Sequence, residues 1–313
     1  MERTRKPAAA PGTAREARGG RMEGPRAGLE GLLAEYAVTS ESGLNLRDAP
    51  GMDGAVLAEQ MHIGSDAVIV NQCGRYGYEE IARNGHRIQV FAMAERGVGL
   101  SRNTALLHAD ADICVFSDED IVLCGDYQEQ IRRAYEELPD ADMILVNVQV
   151  AAARRTYWNE DIHRINYRNY GRYPAYSITA RHEALLRANV HYSLLFGGGA
   201  RYSNGEDSLF LRDCLRAGLK IYSHTICIGE EKERESTWFS GYHEKFFRDR
   251  GVLYHYLYGR LALPLSFRFL WVHRAEMCSG IPLWQAYRFM KDGVREGRAR
   301  GSHERAGKDN GGR

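Results

Sequence analysis

The sequence predicts an α/β fold, an open sheet flanked by helices, on three observations. Short apolar runs at Ala67–Val70, Ile113–Phe116 and Asp142–Val150 read as buried strands, because they are too brief for helices. Amphipathic helical patterns stand between and after them, at Tyr127–Leu138, which Pro139 ends, and from Glu206 onward. Two of the strands finish in polar clusters, Asn71-Gln72-Cys73-Gly74 and Ser117-Asp118-Glu119-Asp120. In an open α/β sheet that is the edge where ligands bind.

Composition narrows the field. A chain of 313 residues holds one large α/β domain or two small ones. Its 44% of hydrophobic residues, with 18 Tyr and 10 Phe, supply a sizeable core. A net charge of +1 argues against a nucleic-acid partner held by overall field. The 6 cysteines, at 73, 114, 124, 214, 227 and 278, form no C-x-x-C pair and no zinc spacing. Several sit in apolar runs as buried thiols, which favours a reducing cytoplasm. No apolar run approaches the ~18 residues of a membrane span, and no hydrophobic segment marks a secretory signal.

Taken in order, residues 1–27 are rich in Ala, Gly, Pro and Arg, with seven Lys/Arg against three Glu. They contain almost nothing to bury and are expected to be a disordered basic tail. Leu29–Ala37 is a weak helical or strand-like segment, followed by a polar loop through Asp53. Ala67–Val70 is a strand. Tyr78–Ala82 reads as a surface turn or helix, and Arg87–Ala92 as another strand. Residues 154–176, RRTYWNEDIHRINYRNYGRYPAY, form a basic, tyrosine-rich loop region whose aromatics suit stacking on bases or on sugar faces. Ser177–Thr179 returns to the sheet, and Arg181–Ala188 is helical.

The chain is organised around Glu95–Asp126. A glycine turn, Gly97-Val98-Gly99, leads into Ser101-Arg102-Asn103, a helix-like Thr104–Ala109, and the strand Ile113–Phe116. Backbone N–H groups and the dipole at a helix start favour anions, and Arg102 there adds paired donors for phosphate or a base edge. The acids after the strand repel one another unless a cation lies beside them. Asp118 and Asp120 suit a hard divalent ion, Mg2+ or Mn2+, shared with a substrate phosphate.

A second signal runs from Phe196 to His224. Gly197-Gly198-Gly199 gives a bending backbone, and Glu206-Asp207 opens a helix with apolar positions 209, 210, 211, 214 and 215. Gly218 stops that helix, and Lys220-Ile221-Tyr222 begins a strand. Acids at a helix start are ordinary caps. Paired with the upstream S-D-E-D stretch, they read as acid–base residues instead. His224 and His243 read as structural, or as extra metal or phosphate contacts.

The succession of glycine turn, S-R-N, A-D-A-D-I-C strand and D-x-D end resembles the inverting family-2 glycosyltransferases. So do the G-E-D block, D-C-L-R-A-G-L-K-I-Y and E-S-T-W-F, and the likeness covers about residues 65–292. The resemblance implies a GT-A, Rossmann-like mixed sheet flanked by helices, over residues 28–245. It implies metal ligation by Asp118 and Asp120, with Asp207 as catalytic base and Glu206 its neighbour. Arg102 and Asp118 would face the nucleotide sugar. Asn71 or Gln72 would read the base where relatives often carry an aspartate, or else simply end a strand. Trp238 would stack on the sugar or fill the core. The first strand departs from the family pattern.

Residues 246–292 form a helical aromatic and basic extension, either packed on the catalytic domain or lying on the inner face of a membrane, and 293–313 read as a disordered tail. The implied activity is transfer from a nucleotide-diphosphate sugar, a UDP-sugar, to a glycan or lipid-linked hydroxyl in surface glycan synthesis. Two alternatives are a non-catalytic nucleotide-binding relative and a GT-A-like nucleotidyltransferase. The acids Asp118, Asp120 and Asp207 speak against the first. The second would carry a lysine-containing glycine-rich loop near its start, and none is present.

Overall fold

The computed structural model describes residues 34–40, 54–152, 154–232 and 241–310, with backbone alone for 34–40, 54–55 and 301–310. The strands are β1 (Ala34–Ser40), β2 (Ala67–Gln72), β3 (Gly77–Arg83), β4 (His86–Met93), β5 (Ile113–Asp118), β6 (Ile121–Leu123), β7 (Met143–Gln149), β8 (Ile178–Arg181) and β9 (Ile221–Glu231). The helices of the sheet region are α1 (Gly54–Gln60), α2 (Val98–His108), α3 (Tyr127–Glu137), α4 (His182–Ala188) and α5 (Glu206–Arg216). After them come α6 (Glu244–Tyr258), α7 (Ala262–Val272), α8 (Arg274–Met277) and α9 (Leu283–Asn310).

Among the described residues the nine strands make one mixed sheet, ordered β3-β4-β2-β1-β5-β8-β7-β9-β6. β1 pairs in parallel with β2 on one side and β5 on the other. The weak first segment of the sequence therefore contributes a central strand, beginning at Ala34; residues 29–33 lie outside the described residues.

The core explains why the strand runs are uninterrupted. Ala67 and Ile69, Ile113 and Val115, and Ile144 and Val146 point to one face, where α1 and α3 cover them. Val68 and Val70, Cys114 and Phe116, and Met143 and Leu145 point to the other, under α2 and α5. Both faces are buried, so the strands show no polar alternation. Three layers result, α/β/α, with helices on both sides of a mixed sheet. The six cysteines are free thiols, Cys114 and Cys214 fully buried.

One sequence expectation is corrected here. Tyr78–Ala82 is neither turn nor helix but lies in β3, the edge strand paired antiparallel to β4. The two-residue link Asn84-Gly85 has φ of 50° and 84° at its two positions. That left-handed pair is what a tight hairpin requires. The strand is exposed on both sides and carries Glu79 and Glu80, charges that protect an edge from further pairing.

The C-terminal helices pack back onto the sheet region. Val252 and Leu253 of α6 join Phe196, Tyr202 and Leu209 in one apolar cluster. A second cluster, Phe247, Leu270, Ala286 and Met290, binds α6, α7 and α9 together. The boundary expected at 293 does not hold, because α9 runs on to Asn310 and Val294 is buried. Glycines explain the continuation. A Cβ on Gly251 would lie 2.1 Å from the Met290 carbonyl oxygen, and one on Gly293 1.9 Å from that of Arg248. The α6 and α9 backbones touch where only glycine leaves room. Gly293→Ala must push two helices apart, a change costing about 1–3 kcal/mol. Thermal unfolding of Gly293→Ala should show a melting temperature several degrees lower; an unchanged value would mean that the crossing is not tight.

Candidate active site

Two glycine loops meet at the ligand edge of the sheet. Val98 N–H donates to the Gly198 carbonyl at 2.9 Å, tying the turn before α2 to the loop before α5. Gly197 has φ of +102°, and a Cβ there would sit 2.3 Å from Val98 and 2.9 Å from the Glu206 carboxyl carbon. No other residue fits without moving the loop. From the side of β2, the Gln72 side-chain oxygen accepts the Gly97 N–H at 2.6 Å, while its amide nitrogen has no partner. Gln72 therefore supports the turn. Asn71 is buried beside it. Asn103 exchanges two hydrogen bonds with the Tyr192 backbone, at 2.8 and 2.9 Å. The S-R-N motif thus fastens α2 to the chain that leads toward α5.

Arg102 occupies the centre. Its side chain is buried, and its guanidinium donates to Asp118 at 3.0 Å, Asp207 at 2.9 Å and Glu206 at 3.5 Å. Tyr192 lies beneath it, with the ring centroid 5.2 Å away. Burial works against the charge, but Asp207, Asp118, Tyr192 and Glu206 outweigh it and hold the guanidinium well above its ordinary range. The sequence alone offers the Arg102 donors to phosphate or a base edge. In the structure its donors serve three carboxylates from two elements.

Asp207 opens α5, and its second oxygen accepts the Ala175 N–H at 3.0 Å. That bond brings the tyrosine-rich 154–176 region to the site. Burial pushes the Asp207 carboxyl up to about 7; Arg102 opposes the shift, while Glu206 and Asp118 add to it. A carboxylate titrating near neutrality is suited to take a proton from a hydroxyl. Asp118 ends β5, and Asp120 lies in the tight link to β6, its carbonyl accepting the Lys232 N–H at 2.8 Å. Burial first, and after it the charges of Asp118, Glu231 and Glu119, push the Asp120 carboxyl up to about 6. Glu231 is bound by Arg154 at 2.6 Å, yet burial still raises it. Sequence reasoning missed Glu231. Its signal was a second strand ending in acids, Gly229-Glu230-Glu231, which mirrors Ser117-Asp118-Glu119-Asp120.

Among the described residues no three Asp, Glu, His or Cys side chains converge to hold an ion by themselves. The histidines have structural partners. His224 meets Glu137 at 3.2 Å, and His243 caps α6 by accepting the Phe246 N–H at 3.2 Å. Trp238 lies outside the described residues.

Residues 56–193 match the family described as Glycosyl transferase family 2. No curated protein matches the chain. Among solved structures it is similar to S. aureus TarS 1-349 in complex with UDP-GlcNAc. The TM-score is 0.53 and the identity 14%, over 79% of this chain and 74% of that one. The same S. aureus protein in complex with UDP gives 0.53 and 13%, over 80% and 74%. S. aureus TarS itself gives 0.51 and 13%, over 78% of this chain and 44% of that one. The family match spans residues 56–193, less than half of the chain, and the likeness to the solved structures is one of fold.

The raised Asp120 has a stability signature. A carboxyl whose folded value exceeds its unfolded one stabilises the protein fully at low pH, and that contribution is lost as pH rises through the folded value. Asp120→Asn removes the charged form that the fold disfavours. Without added metal the variant should match the parent below about pH 4 and exceed it by about 1–2 kcal/mol above about pH 6. Urea unfolding at both pH values measures this, and equal stability at pH 7.5 would contradict the crowded-acid description.

Proposed function

We propose that the chain is an inverting glycosyltransferase that moves a sugar from a nucleotide-diphosphate donor, a UDP-sugar, to an acceptor hydroxyl. The observation that carries this reading is the opposition of two acid sets across Arg102. Asp118, with Asp120, ends a strand at the ligand edge, and Asp207 starts a helix on the other side. One set suits the donor and the other the acceptor. The likeness to S. aureus TarS in complex with UDP-GlcNAc supports the donor class.

A divalent ion fits the Asp118–Asp120 side. The ligands are hard oxygens, the acids there exceed the cations, and the protein offers too few groups to complete a shell, which leaves room for phosphate oxygens. Asp118 and Asp120 would hold Mg2+ or Mn2+, which when bound supplies charge neutralisation to a diphosphate leaving group. Asn71 and Gln72 stand at the end of β2 for the base, and Trp238 is assigned to the donor sugar. The contribution of Arg102 to donor binding runs through Asp118, which it orients.

Asp207 is the base. The acceptor oxygen forms a bond to the anomeric carbon as the carbon–diphosphate bond breaks on the opposite face. The hydroxyl proton goes to Asp207, and the electron pair leaves with the nucleoside diphosphate. Arg102 and the Ala175 N–H each engage one carboxylate oxygen, fixing the group while leaving lone pairs for the proton. Glu206 sets its charge. The acceptor is a glycan or lipid-linked hydroxyl in surface polysaccharide synthesis, reached by a cytoplasmic protein resting on the inner face of the membrane.

The test is a melting-temperature panel of UDP, GDP and their sugars with and without Mn2+, followed by Asp207→Asn with the donor it identifies. Binding raises the melting temperature by mass action. UDP compounds should do so, and chelator should reduce the effect. Asp207→Asn should leave donor affinity nearly unchanged and lower transfer by ~10²–10⁴. In the parent, turnover should rise with pH and level off above about 7. Full transfer by both Asp207→Asn and Glu206→Gln would reduce the pair to a helix cap. UDP binding unaffected by chelator would remove the metal.

A further inference from the structure

The outer face of α7 and α9 has a composition that packing does not explain. Both helices turn a narrow side inward, with Ala262, Ser266 and Leu270 of α7 and Ala286, Met290 and Val294 of α9 buried. A helix that buries one side ordinarily shows charged and polar groups on the other. Here the outward residues include Trp271, 52% exposed, and Trp284, 69% exposed, with Val272 beside them at 57%. Phe267 stacks on Trp271 with centroids 6.2 Å apart and on Trp284 at 5.8 Å, which joins the two outer faces into one aromatic strip. Two of the chain's four tryptophans thus stand in solvent on a single surface. A contiguous exposed apolar patch of this kind marks an interaction site.

The charge around it selects the partner. From residue 260 to 291 the chain carries five basic residues, Arg260, Arg268, Arg274, Arg288 and Lys291, against one acid, Glu276. Glu276 is engaged by the Tyr242 hydroxyl. That is a local excess of four positive charges in a chain whose net charge is +1. The Arg274 guanidinium lies over the Trp271 ring, 4.7 Å from its centroid, and places a cation at the strip itself. No helix among the described residues is long and apolar enough to cross a membrane. Exposed tryptophans bordered by arginines suit the headgroup depth, where rings enter the acyl boundary and guanidinium groups meet phosphate. A protein partner would satisfy the aromatics without requiring the basic border.

We propose that this face docks on the surface of an anionic phospholipid bilayer, with Trp271 and Trp284 inserted at the headgroup level and Arg274 and Arg288 on lipid phosphate. It extends the reading of a membrane-side acceptor given above, but the docking itself needs neither donor nor acceptor. The fold serves it directly, because α6 and α9 are locked together through Gly251 and Gly293 and carry the strip on a rigid mount.

Flotation of the full chain with vesicles decides the matter. It should bind vesicles containing about one third phosphatidylglycerol and bind pure phosphatidylcholine at least about tenfold less, with salt releasing part of the bound protein. Trp271→Ala with Trp284→Ala should weaken binding about tenfold or more. Arg274→Gln with Arg288→Gln should remove the preference for phosphatidylglycerol and flatten the salt dependence. All four side chains are exposed, so each double variant should melt with the parent. The proposal is overturned if the full chain stays unbound on anionic vesicles at low salt, or if the tryptophan variant binds as the parent does. It is also overturned if sedimentation shows a dimer that the tryptophan variant abolishes without any vesicle binding, since the strip is then a contact between copies. UDP binding in the same samples separates this outcome from failure of the catalytic reading.

Discussion

The guanidinium of Arg102 is the constraint on which the rest of the site depends. It is buried, and a buried cation is stable only when carboxylates and hydrogen bonds replace its lost water. Asp118, Glu206 and Asp207 provide that replacement. In return the cation lets three acids stand close together below the surface. The two sides are separated by about ninety residues of chain, and the pairing gives them a common reference point. The proposed donor and acceptor sides would thereby be held at one fixed offset, as an in-line displacement demands.

Everything around Arg102 maintains its position. Tyr192 supports it from below and stacks on Phe210 of α5 at 4.0 Å, with rings nearly parallel. Asn103, one residue on, holds the Tyr192 backbone. Gln72 props the turn that starts α2, and Gly197 lets the second loop close against Val98. Truncating any of these would leave Arg102 near its acids while loosening the angle between them. Under the proposed function their effect runs through geometry, whereas Asp207 is the group proposed to take the proton.

Much of this was legible in the sequence. The strands at 67, 113 and 143 show as apolar runs because both of their faces are buried, and the acids at 118, 120 and 207 stand at element ends where polar residues are conspicuous. What escaped has physical reasons. Tyr78–Ala82 lies on an edge, so its exposed pattern resembles a turn; the Asn84-Gly85 link was the overlooked clue. The helix beyond residue 293 is polar and glycine-containing, which reads as a tail until the α6 contacts of Gly293 and Gly297 explain those two glycines. Glu231 and Ala175 join the site through pairings that no local window contains. Arg102 is conspicuous after its glycine turn, but its partners come from far along the chain, and a pattern of residue types does not reveal them.

The central claim is that Arg102 and Asp207 are energetically one unit. A double-mutant cycle with Arg102→Met, Asp207→Asn and the pair, read by urea unfolding at pH 7.5, measures it directly. Arg102→Met leaves Asp207 facing Glu206 and Asp118 without its cation, whereas Asp207→Asn leaves Arg102 with Asp118 and Glu206, so the two single changes should not add. The account predicts a coupling on the order of 2–3 kcal/mol. Additive effects, agreeing within about 0.5 kcal/mol, would show that the guanidinium and the carboxylate do not depend on one another, and the account of the site would be contradicted.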